Sequence, residues 1–434
     1  MKNKFIKQTI ILLIGGFITK IIGMFIKIIM TRLLGTEGIG IYMLLSPTFM
    51  LFISLASLGL PVAISKLVAE NTRNNKNLVF LCFPITIIIN ITIMIFLIFF
   101  SDFIATNLIH EPRIKLGLIC IGFVLPFISI SSILRGYFFG RQKMIPHVIS
   151  NITEDLIRLI IIMIGVPIFL LKGIEFAIAF IVMSNIISEL TSIFVLFFFL
   201  PKNFKITKKD LEINKQSIKD IISISIPTTG SRLIGSIGYF FEPIILTYFL
   251  MKSGYTNSFI VNEYGIINGY VMPLVLLPSF FTLAISQAII PVISYNYSHN
   301  NIKETKKKIK QGIFYSLLIG IPCTTIFLIV PQIPLKLIYN TTLGINYTKV
   351  MSIICLLHYI QSPISSSLQA MGKANDSMKG TLYGMILRTI TLIIGCSIHI
   401  DMWGLVCATS VNIIFVTVYD SIKVKKHLKN PSKN

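Results

Sequence analysis

Five basic residues, Lys20, Lys27, Arg158, Arg232 and Arg388, stand inside stretches that are otherwise almost wholly apolar. A cation at the centre of a bilayer costs about 2.5–3.5 kcal/mol or more, so each needs a water-filled cavity, a counter-charge or an anionic ligand. Lys20 and Lys27 are seven residues apart. On one helix that spacing puts them within about 20° on the same face and about 10 Å apart along the axis. Such a basic stripe either lines a cavity and attracts an anionic group or, for Lys27 near the outer end of its stretch, snorkels to the interface. Lys20 lies nearer the middle. Glu154 and Arg158 have the i,i+4 spacing at which opposite charges neutralise each other on a helix, so a structural ion pair is expected there. Arg232 shares its stretch with Glu242, Pro227, Gly230, Gly235, Gly238 and Pro243, which weaken regular helix and allow bending. A cavity-facing role is expected for Arg232. Glu189 and Glu242 either bind a coupling cation or balance the buried bases, and the sequence leaves both open. Arg388 has no partner visible at this level.

No rival chemistry competes with these charges. The chain has no Walker loop, no Rossmann glycine pattern and no metal-ligand cluster, and its six histidines are scattered. The six cysteines lie in apolar runs without CxxC or Cys/His spacing and read as small packing residues. An enzyme is therefore not expected, nor a cofactor, a metal or a nucleic-acid partner. Without a nucleotide domain, work would be driven by an ion gradient (Na+ or H+), by the membrane potential or by substrate flow.

The elements that hold these residues must be membrane spans. Apolar residues make up 54% of the 434 and charged residues only 13%, too few to give a soluble domain a polar coat. Cutting at charged or Gly/Pro-rich breaks, with about 20 apolar residues needed per span, gives twelve segments: 9–33, 42–65, 78–100, 115–138, 147–171, 175–200, 220–250, 264–290, 312–332, 348–370, 378–399 and 402–422. The first follows Lys2, Lys4 and Lys7 and runs on without a small-residue cleavage site, as an uncleaved span does. The formal charge of +22 falls on alternate loops: 27 of the 39 Lys and Arg lie in one set and seven in the other. The positive-inside rule then places both termini in the cytoplasm of a multi-pass protein of the cytoplasmic membrane. The sequence divides into a six-span lobe (1–200), a basic linker (201–219) facing anionic lipid, a second six-span lobe (220–422) and a basic tail (423–434).

The two halves echo each other. Glu37-Gly38-Ile39-Gly40-Ile41-Tyr42 opens span two and Glu263-Tyr264-Gly265-Ile266 opens span eight; Pro61-Val62-Ala63-Ile64-Ser65 and Pro291-Val292-Ile293-Ser294 close them. Gly140, Arg158 and Gly165 recur as Gly372, Arg388 and Gly395. Six-span copies enter the membrane from the same side, giving parallel repeats around an axis along the membrane normal. The expected fold is all-α: two pseudo-symmetric six-helix lobes around a central V-shaped cavity.

The stretch from Gly16-Phe17-Ile18-Thr19-Lys20 to Arg32-Leu33-Leu34-Gly35-Thr36-Glu37, followed by Gly59-Leu60-Pro61-Val62-Ala63-Ile64-Ser65-Lys66, resembles the stage V sporulation protein B and polysaccharide exporter family of the multidrug/oligosaccharidyl-lipid/polysaccharide flippase superfamily. Arg135-Gly136-Tyr137-Phe138-Phe139-Gly140-Arg141-Gln142 is similar to that family's connection between spans four and five. The resemblance implies alternating-access movement of a lipid II-like, lipid-linked cell-wall precursor, with spore cortex peptidoglycan as its destination in a sporulating bacterium. It also implies cell-wall synthesis enzymes as partners, and a cationic cavity that Lys20, Lys27 and Arg232 match in kind. Many members have fourteen spans; twelve are read here. The competing expectations are a cation-coupled multidrug or metabolite antiporter of the same fold, which an acidic cavity would suit, and a non-transporting scaffold.

Overall fold

A computed structural model describes residues 2–70, 74–200, 212 and 214–429, and those residues form helices with no strand among them. The first helix, α1 (Lys2–Ser57), contains the expected span one and the first part of span two, separated by a kink at Gly35 with φ 67° and ψ −171°. Only glycine adopts that backbone conformation without strain. Leu58 and Gly59, both at positive φ, then break the chain before α2 (Leu60–Glu70). Asn74 caps α3 (Asn75–Phe103), its side chain accepting the Lys76 N–H at 3.0 Å. The first half continues through α4 (Lys115–Gly140), α5 (Met144–Leu170) and α6 (Ile174–Phe198).

The second half opens with α7 (Lys215–Lys252). Its expected eighth span is broken into α8 (Asn257–Gly265), a π-helical turn (Ile266–Val271), α9 (Met272–Val275) and α10 (Ser279–Ser298). There follow α11 (Ile302–Ile329), the short α12 (Gln332–Tyr339), α13 (Ile345–Ala370), α14 (Ala374–Ser397) and α15 (Trp403–Lys429). The twelve expected segments each have a helical counterpart once α1 is read as two arms. Large apolar side chains such as Phe99 (77% exposed) and Phe194 (77%) face outward, as they do where the solvent is lipid. The chain is a multi-pass membrane protein.

Most of the expected linker lies outside the described residues, namely 201–211 and 213, while Lys215 and Lys219 already belong to α7. The expected tail begins as helix, since α15 runs to Lys429, and 430–434 lie outside the described residues. By packing, the chain forms two compact units, Met1–Ile244 and Ile245–Asn434.

In the first unit α2 lies against α4 at backbone distance. A Cβ added at Gly136 would sit 2.6 Å from the Pro61 carbonyl oxygen, and one at Gly140 2.7 Å from that of Ser65. The motifs 61–65 and 135–140 are thus the two faces of one close crossing, sealed by Leu60, Ile64, Leu67, Tyr137 and Phe138. In the second unit Ile293, Ile309, Ile364, Leu368 and Val424 join α10, α11, α13 and α15. The fully buried Tyr359 donates its hydroxyl to the Val275 carbonyl beside the break after α9.

The repeat extends to the helices themselves. The helices α4, α5 and α6 begin at 115, 144 and 174; α13, α14 and α15 begin at 345, 374 and 403. Outside the long spans, Glu37 pairs with Arg113 in the first unit, and in the second Tyr347 donates to Glu263 at 2.8 Å.

Candidate functional site

The i,i+4 pairs Ser131/Arg135 on α4, Glu154/Arg158 on α5 and Ser188/Ser192 on α6 each share a helix face. The three faces meet. Arg135 ion-pairs with Glu154 and reaches Glu189 at 3.0 Å and the Ser192 hydroxyl oxygen at 2.8 Å. Arg158 pairs with the other oxygen of Glu154, lies 3.6 Å from Asp155 and donates to Ser188 at 3.4 Å. Ser131 donates to Glu189. The side chains of Glu154 and Glu189 retain 9% and 5% exposure, and those of Arg135 and Arg158 19% and 22%. Desolvating single charges to this degree costs several kcal/mol each, which only close opposite charges and hydrogen bonds offset. Neutrality is therefore the condition for burying this cluster.

Its charge balance is informative. Two guanidinium groups face three carboxylates, and Lys20 acts on Asp155 through space from α1 without forming an ion pair. The cluster therefore holds no cation in excess, and it can staple α4, α5 and α6 together without offering a positive charge to an anionic ligand.

Arg135 stands inside α4, in this network, rather than in the connection between spans four and five, where its motif was placed from sequence. The signal was present. Ile133, Leu134, Tyr137 and Phe138 continue the apolar helix past it, and all four are buried. Asp155 was likewise passed over; only its neighbour Glu154 has the i,i+4 spacing to Arg158 that sequence inspection rewards.

The Glu154–Arg158 pair is made, and Glu189 is engaged by Arg135. Lys20 is exposed and Lys27 half-buried on the first arm of α1; Arg232 is exposed on α7. No described carboxylate forms an ion pair with any of these three. Glu242, ten residues after Arg232, is buried, and Arg388 is half-buried on α14. The bases that remain available to an anion are thus Lys20, Lys27 and Arg232, while Glu154, Asp155 and Glu189 are already engaged. Among the described residues no group of three His, Cys, Asp or Glu could hold a metal ion.

The family profile described as polysaccharide biosynthesis protein matches residues 5–297, and the MatE profile matches 243–394. Stage V sporulation protein B of Bacillus subtilis (strain 168) is 33% identical over 98% of this chain and 85% of its own length. Lipid II flippase MurJ of the same organism is 20% identical over 98% of this chain and 84% of its own. A multidrug resistance MATE family transporter of the MOP superfamily, solved in an inward-facing conformation, superposes with a TM-score of 0.77 at 15% identity, covering 95% of this chain and 94% of that one. The chain has the MATE fold and belongs to the polysaccharide biosynthesis protein family.

Proposed function

We propose that this protein moves an anionic, lipid-linked cell-wall saccharide, a lipid II-like precursor, across the cytoplasmic membrane by alternating access, with both termini in the cytoplasm. The supporting observation is the division of charge in the first unit: the carboxylates Glu154, Asp155 and Glu189 are engaged, whereas Lys20, Lys27 and Arg232 have no described ion-pair partner. A prenyl pyrophosphate carries the charge those bases would neutralise, through charge-assisted hydrogen bonds that Arg and Lys donate to phosphate oxygens. The prenyl tail stays in hydrocarbon, so only the head group has to enter a polar path. Full-length similarity to a lipid II flippase and to a sporulation protein supports the same substrate class and spore cortex synthesis as its setting. Cell-wall synthesis enzymes would then receive the product.

Reconstitution into proteoliposomes with a fluorescent lipid II analogue tests the reading. Wild-type protein should expose the analogue to the opposite leaflet, and Lys20→Gln/Arg232→Gln should abolish that movement at unchanged membrane abundance. Unchanged flipping by the double variant defeats the site. Transport of cationic drugs without movement of the lipid analogue would replace the reading with antiport.

A further inference from the structure

The second unit repeats the bridge between α4 and α6, but without its cation. Ser365 on α13 stands 230 residues after Arg135, and Asp420 on α15 stands 231 after Glu189. The contact is retained, since Ser365 donates to Asp420 as Arg135 donates to Glu189. The neutralisation is not. Gly384 stands where Glu154 does, 230 residues on, so the second bridge keeps a carboxylate and replaces its guanidinium with a hydroxyl. Asp420 is fully buried, and its Oδ1 has no hydrogen-bond partner among the described residues.

The charged groups nearby are engaged with one another. On α14, Asp376 binds Lys423 Nζ at 3.3 Å and His427 Nε2 at 2.7 Å, drawing both of these α15 side chains to itself. Lys423 also lies over the Tyr419 ring, 5.2 Å from its centroid. What faces Asp420 is therefore Ser365 from α13, Gly380 and the already paired Asp376 from α14, and Tyr419, Lys423 and His427 from its own helix. A Cβ at Gly380 would sit 2.8 Å from Asp420 Oδ1, so that oxygen is lodged against the α14 backbone. A lone buried carboxylate without a counter-ion is held far more cheaply as the neutral acid than as the anion.

We propose that Asp420 is a proton-binding site of the second unit, carrying its proton on Oδ1 when buried and releasing it when the α13–α15 packing opens. A proton needs one lone pair, whereas a calcium ion takes about 6–8 oxygens; here Ser365 is the sole hydrogen-bonding partner Asp420 has among the described residues. The carboxylate of the first bridge is met by arginine, that of the second by an exchangeable proton. Its use in driving transport rests on the flippase reading above; proton binding itself does not.

The test is carbodiimide labelling of the full chain in proteoliposomes, because dicyclohexylcarbodiimide enters apolar sites and modifies protonated carboxyls. Labelling is mapped by mass spectrometry between about pH 5 and pH 9, across the range where shifted carboxyls titrate. An adduct on Asp420 is expected, falling about tenfold per pH unit above its midpoint and absent in Asp420→Asn. An unmodified Asp420 at every pH overturns the site, as does a labelled one protected by sodium ions in place of protons. Should Asp420→Asn fail to accumulate, labelling of the unmutated chain decides alone. Labelling as expected in a protein that moves no lipid analogue would keep the site and remove the substrate reading; flipping without labelling would do the reverse.

Discussion

Arg135 and Glu189 lie 3.0 Å apart, on α4 and α6, in a cluster where Glu189 keeps 5% exposure. Removing one member of such a pair leaves the other charge buried and uncompensated, at a cost of about 3–5 kcal/mol. Arg135→Ala strands Glu189 and leaves Glu154 with Arg158 alone, so denaturant unfolding in detergent should show a loss of that order. Adding Glu189→Gln should recover part of it; a double variant no more stable than the single would mean that Glu189 is not what Arg135 neutralises.

The ion pair of Lys115 with Asp102 should behave differently. Its partners are 50% and 62% exposed at 2.8 Å. Screened pairs of this kind contribute about 0–1 kcal/mol. Asp102→Asn is expected to leave unfolding nearly unchanged, and a loss comparable to that of Arg135→Ala would overturn the distinction drawn here between buried and exposed charge.

Gly136 is expected to resist any side chain. A Cβ there meets the Pro61 backbone at 2.6 Å and 2.9 Å, and backbone cannot rotate aside. Overpacking of this sort typically costs about 1–3 kcal/mol, so Gly136→Ala should lower thermal stability and open the α2–α4 crossing to cysteine labelling at Ile64. Gly16→Ala is the control: nothing lies within 4 Å of its Cβ, and alanine's better helix propensity should leave stability equal or higher.

Tyr359 should report on the broken eighth span. Its hydroxyl donates to Val275, the last residue of α9, three positions before Pro278. Tyr359→Phe leaves that buried carbonyl without this donor, a loss of about 1–3 kcal/mol. Hydrogen exchange at residues 272–281 should quicken in the variant; unchanged exchange would show that the break is held without Tyr359.

The two broken spans illustrate what local sequence conveys. The break at Leu58 and Gly59 falls inside the expected span 42–65, which was read through it even though Gly59 and Pro61 act on the backbone within their own peptide units. The π-helical turn at Ile266–Val271 was not legible, because Ile-Ile-Asn-Gly-Tyr-Val has no local requirement for it. Likewise Gly136 and Gly140 were visible as a motif, but their purpose, admitting the α2 backbone, depends on a partner some 70 residues away in the chain.

Sequence by itself determined the solvent, the twelve segments and the repeat, because apolar run length, loop charge and spacing are properties of the chain that lipid reads directly. It also singled out the basic residues. Tertiary structure alone decided which charges are already engaged. Arg135 is drawn into the cluster by Glu154 and Glu189, from two other helices, while the Asp420 carboxylate, at the matching place in the second repeat, is hydrogen-bonded only by Ser365 among the described residues. Neutralisation of a buried charge depends on ångström distances between helices far apart in sequence, and no local spacing encodes those.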